Sequence, residues 1–144
     1  MRYAIKGLGL SAALAAGCLA GAVPSAAAAP AQPQGLYAPS ALVLTVGEGE
    51  DPATSTVRRA VVLRCSPAPG GDHPAPARAC GELRAVNGEF AALAEARGDR
   101  MCPMIWDPVT VTADGVWEGR RVSYARTFPN ACVMADTAPA VFSF

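Results

Sequence analysis

The chain has 144 residues with 12 basic and 12 acidic side chains, so its formal net charge is zero. Nucleic-acid-binding proteins carry clustered cations, and the sequence has no such cluster, which argues against that class of function. With a single His and no Cys-x-x-Cys pair, the sequence supports neither a zinc site nor a Ser-His-Asp or Cys-His catalytic centre. We therefore expect no metal and no cofactor.

Residues 1–28 have the pattern of a secretory signal peptide. Arg2 and Lys6 supply positive charge, a nearly all-apolar run follows, and small residues then offer Ala-x-Ala cleavage sites. We expect cleavage after Ala27 or Ala28 and secretion to the extracellular space. The apolar run is short and no stop-transfer charges follow it, so we expect no membrane association once the signal is removed.

The cysteines indicate a disulfide-bonded secreted domain. Cys18 lies in a segment close to a bacterial lipoprotein signal, but Ala15 stands where that signal normally has a large aliphatic residue, so we favour simple secretion. Removal of the signal leaves Cys65, Cys80, Cys102 and Cys132. Four cysteines in a secreted domain of this size indicate two disulfides, and composition alone allows three pairings.

The first half of the mature chain predicts two strands and a helix. Residues 29–35 form a Pro-, Ala- and Gln-rich spacer that we expect to be disordered, with the folded domain spanning residues 36–144. Alternating apolar residues predict strands over 41–46 and 57–65. The Pro- and Gly-dense residues 66–76 predict a loop, in which we expect His73 to lie at the surface. Apolar residues at helical spacing predict a helix over 77–86 that stops at Asn87-Gly88, and a short helical turn through Ala96.

The second half predicts the rest of an antiparallel sheet. Residues 109–112 alternate, and Asp114-Gly115 is the strongest hairpin signal in the chain. The return strand covers 116–118 and 121–128, with Gly119 marking a bulge or a second turn. We expect a short helix at 130–134 and a last strand at 140–144. These elements predict an α+β fold, in which a five-stranded antiparallel sheet carries one or two helices on one face.

Residues 98–108 (GDRMCPMIWDP) combine a Cys, two prolines and several large apolar residues. The apolar side chains Met101, Met104, Ile105 and Trp106 are typical of a core strand. Pro103 and Pro108, however, remove backbone donors that a central strand needs and push the residues before them towards extended angles. The alternative is a rigid, extended apolar loop of the kind that a protease cleft binds as an added strand.

At these residues the chain resembles the Streptomyces subtilisin inhibitor family, whose reactive loop has the form Met-Cys-Pro-X with X the primary specificity residue. The matching residues here are Met101-Cys102-Pro103-Met104. Further matches run in order along the chain: LYAPSALVLTVG at 36–47, HPAP at 73–76, DGVW at 114–117, RVSY at 121–124 and VFSF at 141–144. The resemblance covers about residues 36–144.

The resemblance implies a secreted serine protease inhibitor with its reactive bond between Met104 and Ile105. It implies subtilisin-like target proteases, with chymotrypsin-like ones second, contacts to the protease from Met101, Cys102, Pro103 and Trp106, and a homodimer formed through the sheet. It also implies the disulfide pairs Cys65–Cys80 and Cys102–Cys132.

The sequence also admits two other classes of function. A secreted binding module of the same fold would use the apolar loop on a partner that is not a protease. An enzyme would need a catalytic constellation, for which Asp99 and Asp107 beside the loop are the nearest candidates, although carboxylates next to turns are more often solvated capping residues.

Overall fold

The computed structural model describes residues 38–95 and 98–144; the predicted signal peptide and spacer lie outside the described residues. The strands are β1 (Ser40–Glu48), β2 (Thr56–Ser66), β3 (Gly70–Gly71), β4 (Val109–Trp117) and β5 (Arg120–Phe128). The helices are α1 (Pro76–Ala85) and α2 (Ala131–Thr137), with short 3-10 helices at Phe90–Ala92 and Ala140–Phe142. Within the described ranges, none of the helices is both long and apolar enough to cross a bilayer.

The five strands form one antiparallel sheet in the order β3-β2-β1-β4-β5. β1 is the central strand: Leu44 lies opposite Val61 of β2 on one side and Ala113 of β4 on the other. The predicted strands at 41–46 and 57–65 lie within β1 and β2. The predicted α+β fold with a five-stranded antiparallel sheet is therefore confirmed.

The core lies between one face of the sheet and the helices. Side chains alternate along each strand, so every second residue of β1, β2 and β4 points inward. The buried core includes Leu42, Leu44, Val61, Leu63, Val111 and Ala113 from the sheet, Cys80 and Leu83 from α1, and Phe90, Val141 and Phe142 from the two 3-10 helices. Burial of these side chains is the main favourable contribution to folding, at roughly 1.5–3 kcal/mol for each large aliphatic or aromatic residue.

Helix α1 starts and stops where the sequence predicts. Pro76 occupies its first turn, where a missing backbone N–H costs nothing. Asn87 and Gly88 both have positive φ angles, 52° and 74°, and the Gly88 N–H donates to the Leu83 carbonyl at 2.8 Å. This left-handed pair satisfies an otherwise free helix carbonyl and ends the helix. The predicted Cys65–Cys80 disulfide then joins α1 to β2, with Cα atoms 5.5 Å apart.

The predicted hairpin turn at Asp114-Gly115 is wrong. β4 continues through both residues to Trp117, and the turn is formed by Glu118 and Gly119, whose φ angles are 48° and 77°. Two central residues with positive φ are the signature of the two-residue turn that suits the twist of a hairpin. Gly115 is needed inside the strand for another reason: a Cβ there would lie 2.3 Å from the Ala41 carbonyl oxygen.

The predicted last strand at 140–144 is also wrong, because Ala140–Phe142 is a 3-10 helix. Its three residues are all buried, whereas a strand on this sheet would bury alternate ones. The Val141 N–H donates to a Glu82 carboxylate oxygen at 3.1 Å, which fixes the segment against α1. The fifth strand of the sheet is instead β3, a two-residue bridge within the predicted loop at 66–76.

His73 is buried rather than at the surface, with 4% of its area exposed. Its Nδ1 accepts a hydrogen bond from the Ala75 N–H, and its Nε2 lies 3.1 Å from the Val141 carbonyl oxygen. The surface prediction failed because the loop around His73 folds back over the carboxyl-terminal segment. Both ring nitrogens are occupied by backbone groups, so the ring serves as a structural link.

Candidate functional site

Residues 98–108 form an exposed loop without regular secondary structure between the Phe90–Ala92 helix and β4. The Met101 and Met104 side chains are fully exposed, and Ile105 and Trp106 are 57% and 63% exposed. The core-strand interpretation is therefore wrong for this segment. Large apolar side chains gathered on one exposed loop are a feature of interaction sites, because monomeric proteins rarely leave such groups in water without a use.

Asn130 holds the loop from beneath. It is 4% exposed, and its side-chain amide Nδ2 donates to the carbonyl oxygens of Pro103 and Ile105, each at 3.1 Å. These two carbonyls flank Met104 on either side. A single buried amide thus fixes the backbone around the fully exposed Met104, so this residue is presented to solvent on a held backbone.

Asn130 is itself fixed because it is also the N-cap of α2. Its Oδ1 accepts a hydrogen bond from the Val133 N–H at 3.0 Å, as an N-cap side chain does. The two polar atoms of the amide group therefore have different roles: Oδ1 anchors the side chain to the helix, and Nδ2 bonds to the loop. The sequence predicts a short helix at 130–134, which is confirmed, but not this contact with the loop.

Helix α2 supplies two further attachments to the loop. The predicted Cys102–Cys132 disulfide is present, with Cα atoms 5.6 Å apart, and it ties the loop upstream of Met104 to the first turn of α2. Near the start of the loop, the Arg100 N–H donates to an Asp136 carboxylate oxygen at 3.2 Å. Gly98 allows this approach, because a Cβ there would lie 2.2 Å from the same carboxylate.

The downstream end of the loop is fixed by backbone hydrogen bonds. The Asp107 N–H donates to the Pro129 carbonyl, and the Pro108 carbonyl accepts from the Gly49 N–H, both at 2.9 Å. The loop is therefore attached on both sides of Met104, by covalent and hydrogen bonds. Such a preorganised segment loses little conformational entropy on binding.

The segment that enters the loop is tied to the sheet by an ion pair. The Arg126 guanidinium of β5 bonds to the Glu95 carboxylate and lies over the Phe128 ring, 4.7 Å from its centroid. The hydrogen bond to Glu95 raises the pKa of Arg126 and so favours the charged form of its guanidinium further.

Asp99 and Asp107, the two carboxylates considered as catalytic candidates, are both exposed. Among the described residues, no three His, Cys, Asp or Glu side chains gather as a metal site requires. The residues that the structure does bring together on the loop are the six that the family resemblance identifies: Met101, Cys102, Pro103, Met104, Ile105 and Trp106. The sequence does not predict the role of Asn130 in holding this loop. Its only indication is that an amide residue stands at the start of a predicted helix, two positions before Cys132.

Known proteins resemble this chain over most of its length. A family model described as Subtilisin inhibitor-like matches residues 38–130. Kexstatin-1 of Streptomyces platensis is 54% identical, with all of both chains covered. The subtilase-type protease inhibitor of Streptomyces coelicolor is 54% identical over 95% of this chain and 93% of its own length. Streptomyces caespitosus sermetstatin, solved in complex with Bacillus licheniformis subtilisin, is 46% identical, with a TM-score of 0.64 over 74% of this chain and 99% of that one.

Proposed function

The chain belongs to the subtilisin inhibitor-like family, and from that premise we propose that it is a secreted inhibitor of subtilisin-like serine endopeptidases. The observation that carries this proposal is the exposed loop centred on Met104 and held by Asn130. Relatives named as protease inhibitors, and a similar chain solved with subtilisin, favour inhibition over a binding module without inhibitory action.

The reactive bond in this proposal lies between Met104 and Ile105. Serine proteases bind substrate backbone as an added strand and select side chains through pockets. Met104 is the most exposed apolar side chain of the loop and follows Met101-Cys102-Pro103, the order found in the family's reactive loop. It therefore enters the primary pocket, and Ile105 lies just past the bond that the protease attacks.

Slow net hydrolysis follows from the way the loop is fixed. If the protease cuts after Met104, the new carboxyl end is held through the Cys102–Cys132 disulfide, and the new amino end through the Asn130 hydrogen bond to Ile105. The leaving amine stays beside the acyl-enzyme at a high effective concentration. Resynthesis of the bond then competes well against attack by water.

The identity of Met104 selects the target class. Met is flexible and polarizable, which suits a broad apolar pocket such as that of subtilisin-like enzymes. A trypsin pocket contains a buried Asp that requires a positive side chain, so Met fits it poorly. Chymotrypsin-like enzymes, with an apolar slot, are the second candidates.

The neighbouring loop residues extend the contact on both sides. Met101 and Cys102 line the cleft upstream, Pro103 stiffens the backbone, and Trp106 contacts the protease downstream. Trp106 is more than half exposed, and burial of an aromatic side chain of this size contributes strongly to interface affinity.

In this proposal, the face of the sheet that points away from the core binds a second copy of the chain. This outer face carries Val43 and Val62, neighbours across β1 and β2 that are 46% and 38% exposed. Next to them, the Thr45 and Thr112 hydroxyls bond to one another at 2.7 Å, so their polar groups are satisfied within the sheet. An exposed sheet face of this kind suits a symmetric, self-complementary interface, and family resemblance makes the homodimer the expected assembly.

Secretion and the absence of enzymatic activity complete the proposal. The sequence of residues 1–28 supports export and cleavage, which places the inhibitor outside the cell with the proteases it meets. The family consists of protease inhibitors, and His73, the only His in the chain, has both ring nitrogens bonded to backbone groups.

Titration of subtilisin with the secreted, disulfide-bonded protein tests the proposed function. Residual peptidase activity should fall in proportion to added inhibitor and reach zero near one reactive loop per enzyme. With Met104→Ala, residual activity should fall much less at the same molar ratio, because the primary pocket is left unfilled. With Met134→Leu, a change outside the loop, it should fall as with the unmodified chain. A chain that is digested while subtilisin keeps its activity would contradict the proposal.

A further inference from the structure

We propose that Met104 is a site of reversible oxidative inactivation, at which a peroxide converts the thioether to a sulfoxide and switches the inhibitor off. This inference rests on the proposed function, because it concerns control of the same loop.

Solvent exposure determines which methionine sulfur atoms an oxidant reaches first. Met101 and Met104 are 99% and 102% exposed, so neither sulfur atom is shielded from a dissolved oxidant by the part of the chain that the structure describes. Met134, the other methionine among the described residues, is partly buried and packs against the core. Oxidation of methionine follows access to the sulfur, so the two loop residues should react before Met134.

The chemical step is a two-electron oxygen transfer. Hydrogen peroxide gives one oxygen atom to the sulfur: the O–O bond breaks, an S–O bond forms, and water leaves. Sulfur is oxidised by two electrons and the peroxide oxygen is reduced by two. No backbone bond changes, and neither disulfide takes part.

The modification should act on binding and leave the fold intact. The exposed Met104 side chain contributes no packing to the core, and the Asn130 hydrogen bonds that hold its backbone involve only carbonyl groups of Pro103 and Ile105. The oxidised side chain is polar and chiral. When it enters an apolar protease pocket, its oxygen loses water without gaining a partner, which is unfavourable.

The same features make the effect specific to residue 104. Met101 lies upstream of the reactive bond, and its sulfoxide oxygen can stay nearer the rim of the cleft, so its oxidation should weaken inhibition much less. Reduction of the sulfoxide by methionine sulfoxide reductases restores the thioether, with one enzyme needed for each epimer. The free inhibitor would thus lose its affinity for the protease when oxidant is present and regain it after reduction.

The test treats the secreted protein with hydrogen peroxide, removes the oxidant with catalase, and only then adds subtilisin. Peptide mass mapping locates each added oxygen, and the inhibition constant is measured before and after. We expect oxygen at Met104 and Met101 before Met134, an inhibition constant raised roughly ten- to a hundredfold, an unchanged melting temperature, and recovery after treatment with both reductases. The matched variant Met104→Leu, compared with its own untreated form, should lose less than about threefold in inhibition constant on the same treatment, because it has no sulfur atom at this position.

Unchanged inhibition by protein that carries the sulfoxide at Met104 would overturn the proposal. Equal losses in the unmodified chain and in Met104→Leu would also overturn it, since the damage would then lie elsewhere. If untreated protein failed to inhibit subtilisin, the proposed function would fall instead, and the mass map alone would still show whether Met104 is a preferred oxidation site.

Discussion

The buried amide of Asn130 donates a hydrogen bond to the carbonyl oxygen of Ile105 at 3.1 Å, directly after the fully exposed Met104. A second bond from the same nitrogen reaches Pro103 on the other side. One side chain that caps α2 therefore also fixes the backbone around Met104, the residue that we propose enters the protease.

Replacement of Asn130 should weaken inhibition while α2 remains. Asn130→Ser keeps a good N-cap residue but cannot extend an amide to Pro103 and Ile105. Loss of two hydrogen bonds, each worth roughly 0.5–1.5 kcal/mol, predicts an inhibition constant five- to about a hundredfold higher and faster cutting of the loop. Helix content from circular dichroism should stay near that of the unmodified protein. Inhibition and loop cutting that match the unmodified chain would show that Asn130 does not govern loop rigidity.

Exchange of Met104 should redirect the inhibitor. Met104→Lys introduces the positive side chain that the buried Asp of a trypsin pocket selects, so inhibition of trypsin should appear while that of subtilisin declines. Met101→Lys is the matched control, because it adds the same charge three residues upstream and should produce little trypsin inhibition. Inhibition constants against both enzymes decide the matter, and equal effects from the two variants would argue against Met104 as the primary specificity residue.

Both disulfides should stabilise the fold, but only Cys102–Cys132 should be needed for inhibition. In the chain-entropy model, closing loops with sequence separations of 15 and 30 stabilises the fold by roughly 3 and 3.5 kcal/mol. Paired Cys→Ala replacements should therefore lower the free energy of unfolding by similar amounts. Only loss of Cys102–Cys132 should turn the protein from an inhibitor into a substrate, as followed by its digestion at temperatures where both variants are folded. Rapid digestion after loss of Cys65–Cys80 alone would contradict this division.

Dimer formation should depend on the outer sheet face. Val62→Glu places a charge beside Val43 on this face, and burial of an unpaired charge in an interface is costly. Sedimentation should show at least a hundredfold weaker self-association, whereas Met101→Glu, which puts the same charge on the loop, should leave the dimer intact. A monomeric unmodified chain at all concentrations would refute the proposed interface.

The sequence predicts the sheet and α1 well because alternation and helical spacing are local signals. The prediction of a hairpin turn at Asp114-Gly115 is wrong, because a glycine suits both a turn and a close approach between two strands. Only the position of the neighbouring β1 backbone decides which of the two structures forms. Gly119, predicted as a bulge or a second turn, proves to be part of the hairpin turn itself.

The remaining differences have long-range causes. Burial of His73 depends on the Val141 carbonyl, 68 residues away in sequence, and the loop contact of Asn130 spans more than twenty residues. Neither partner is visible in a local pattern. The proposed contact residues 101–106, in contrast, come from the sequence alone, because Pro103 and the family motif lie in one continuous segment.

The most direct test of the reactive-bond assignment is to identify the bond that subtilisin cuts during prolonged incubation with the inhibitor. After reduction, we expect two fragments, one ending at Met104 and the other beginning at Ile105. Without reduction they should remain one species, because Cys102 and Cys132 lie on opposite sides of the cut and are bonded to each other. A first cut at any other bond, made while subtilisin is still inhibited, would contradict the account.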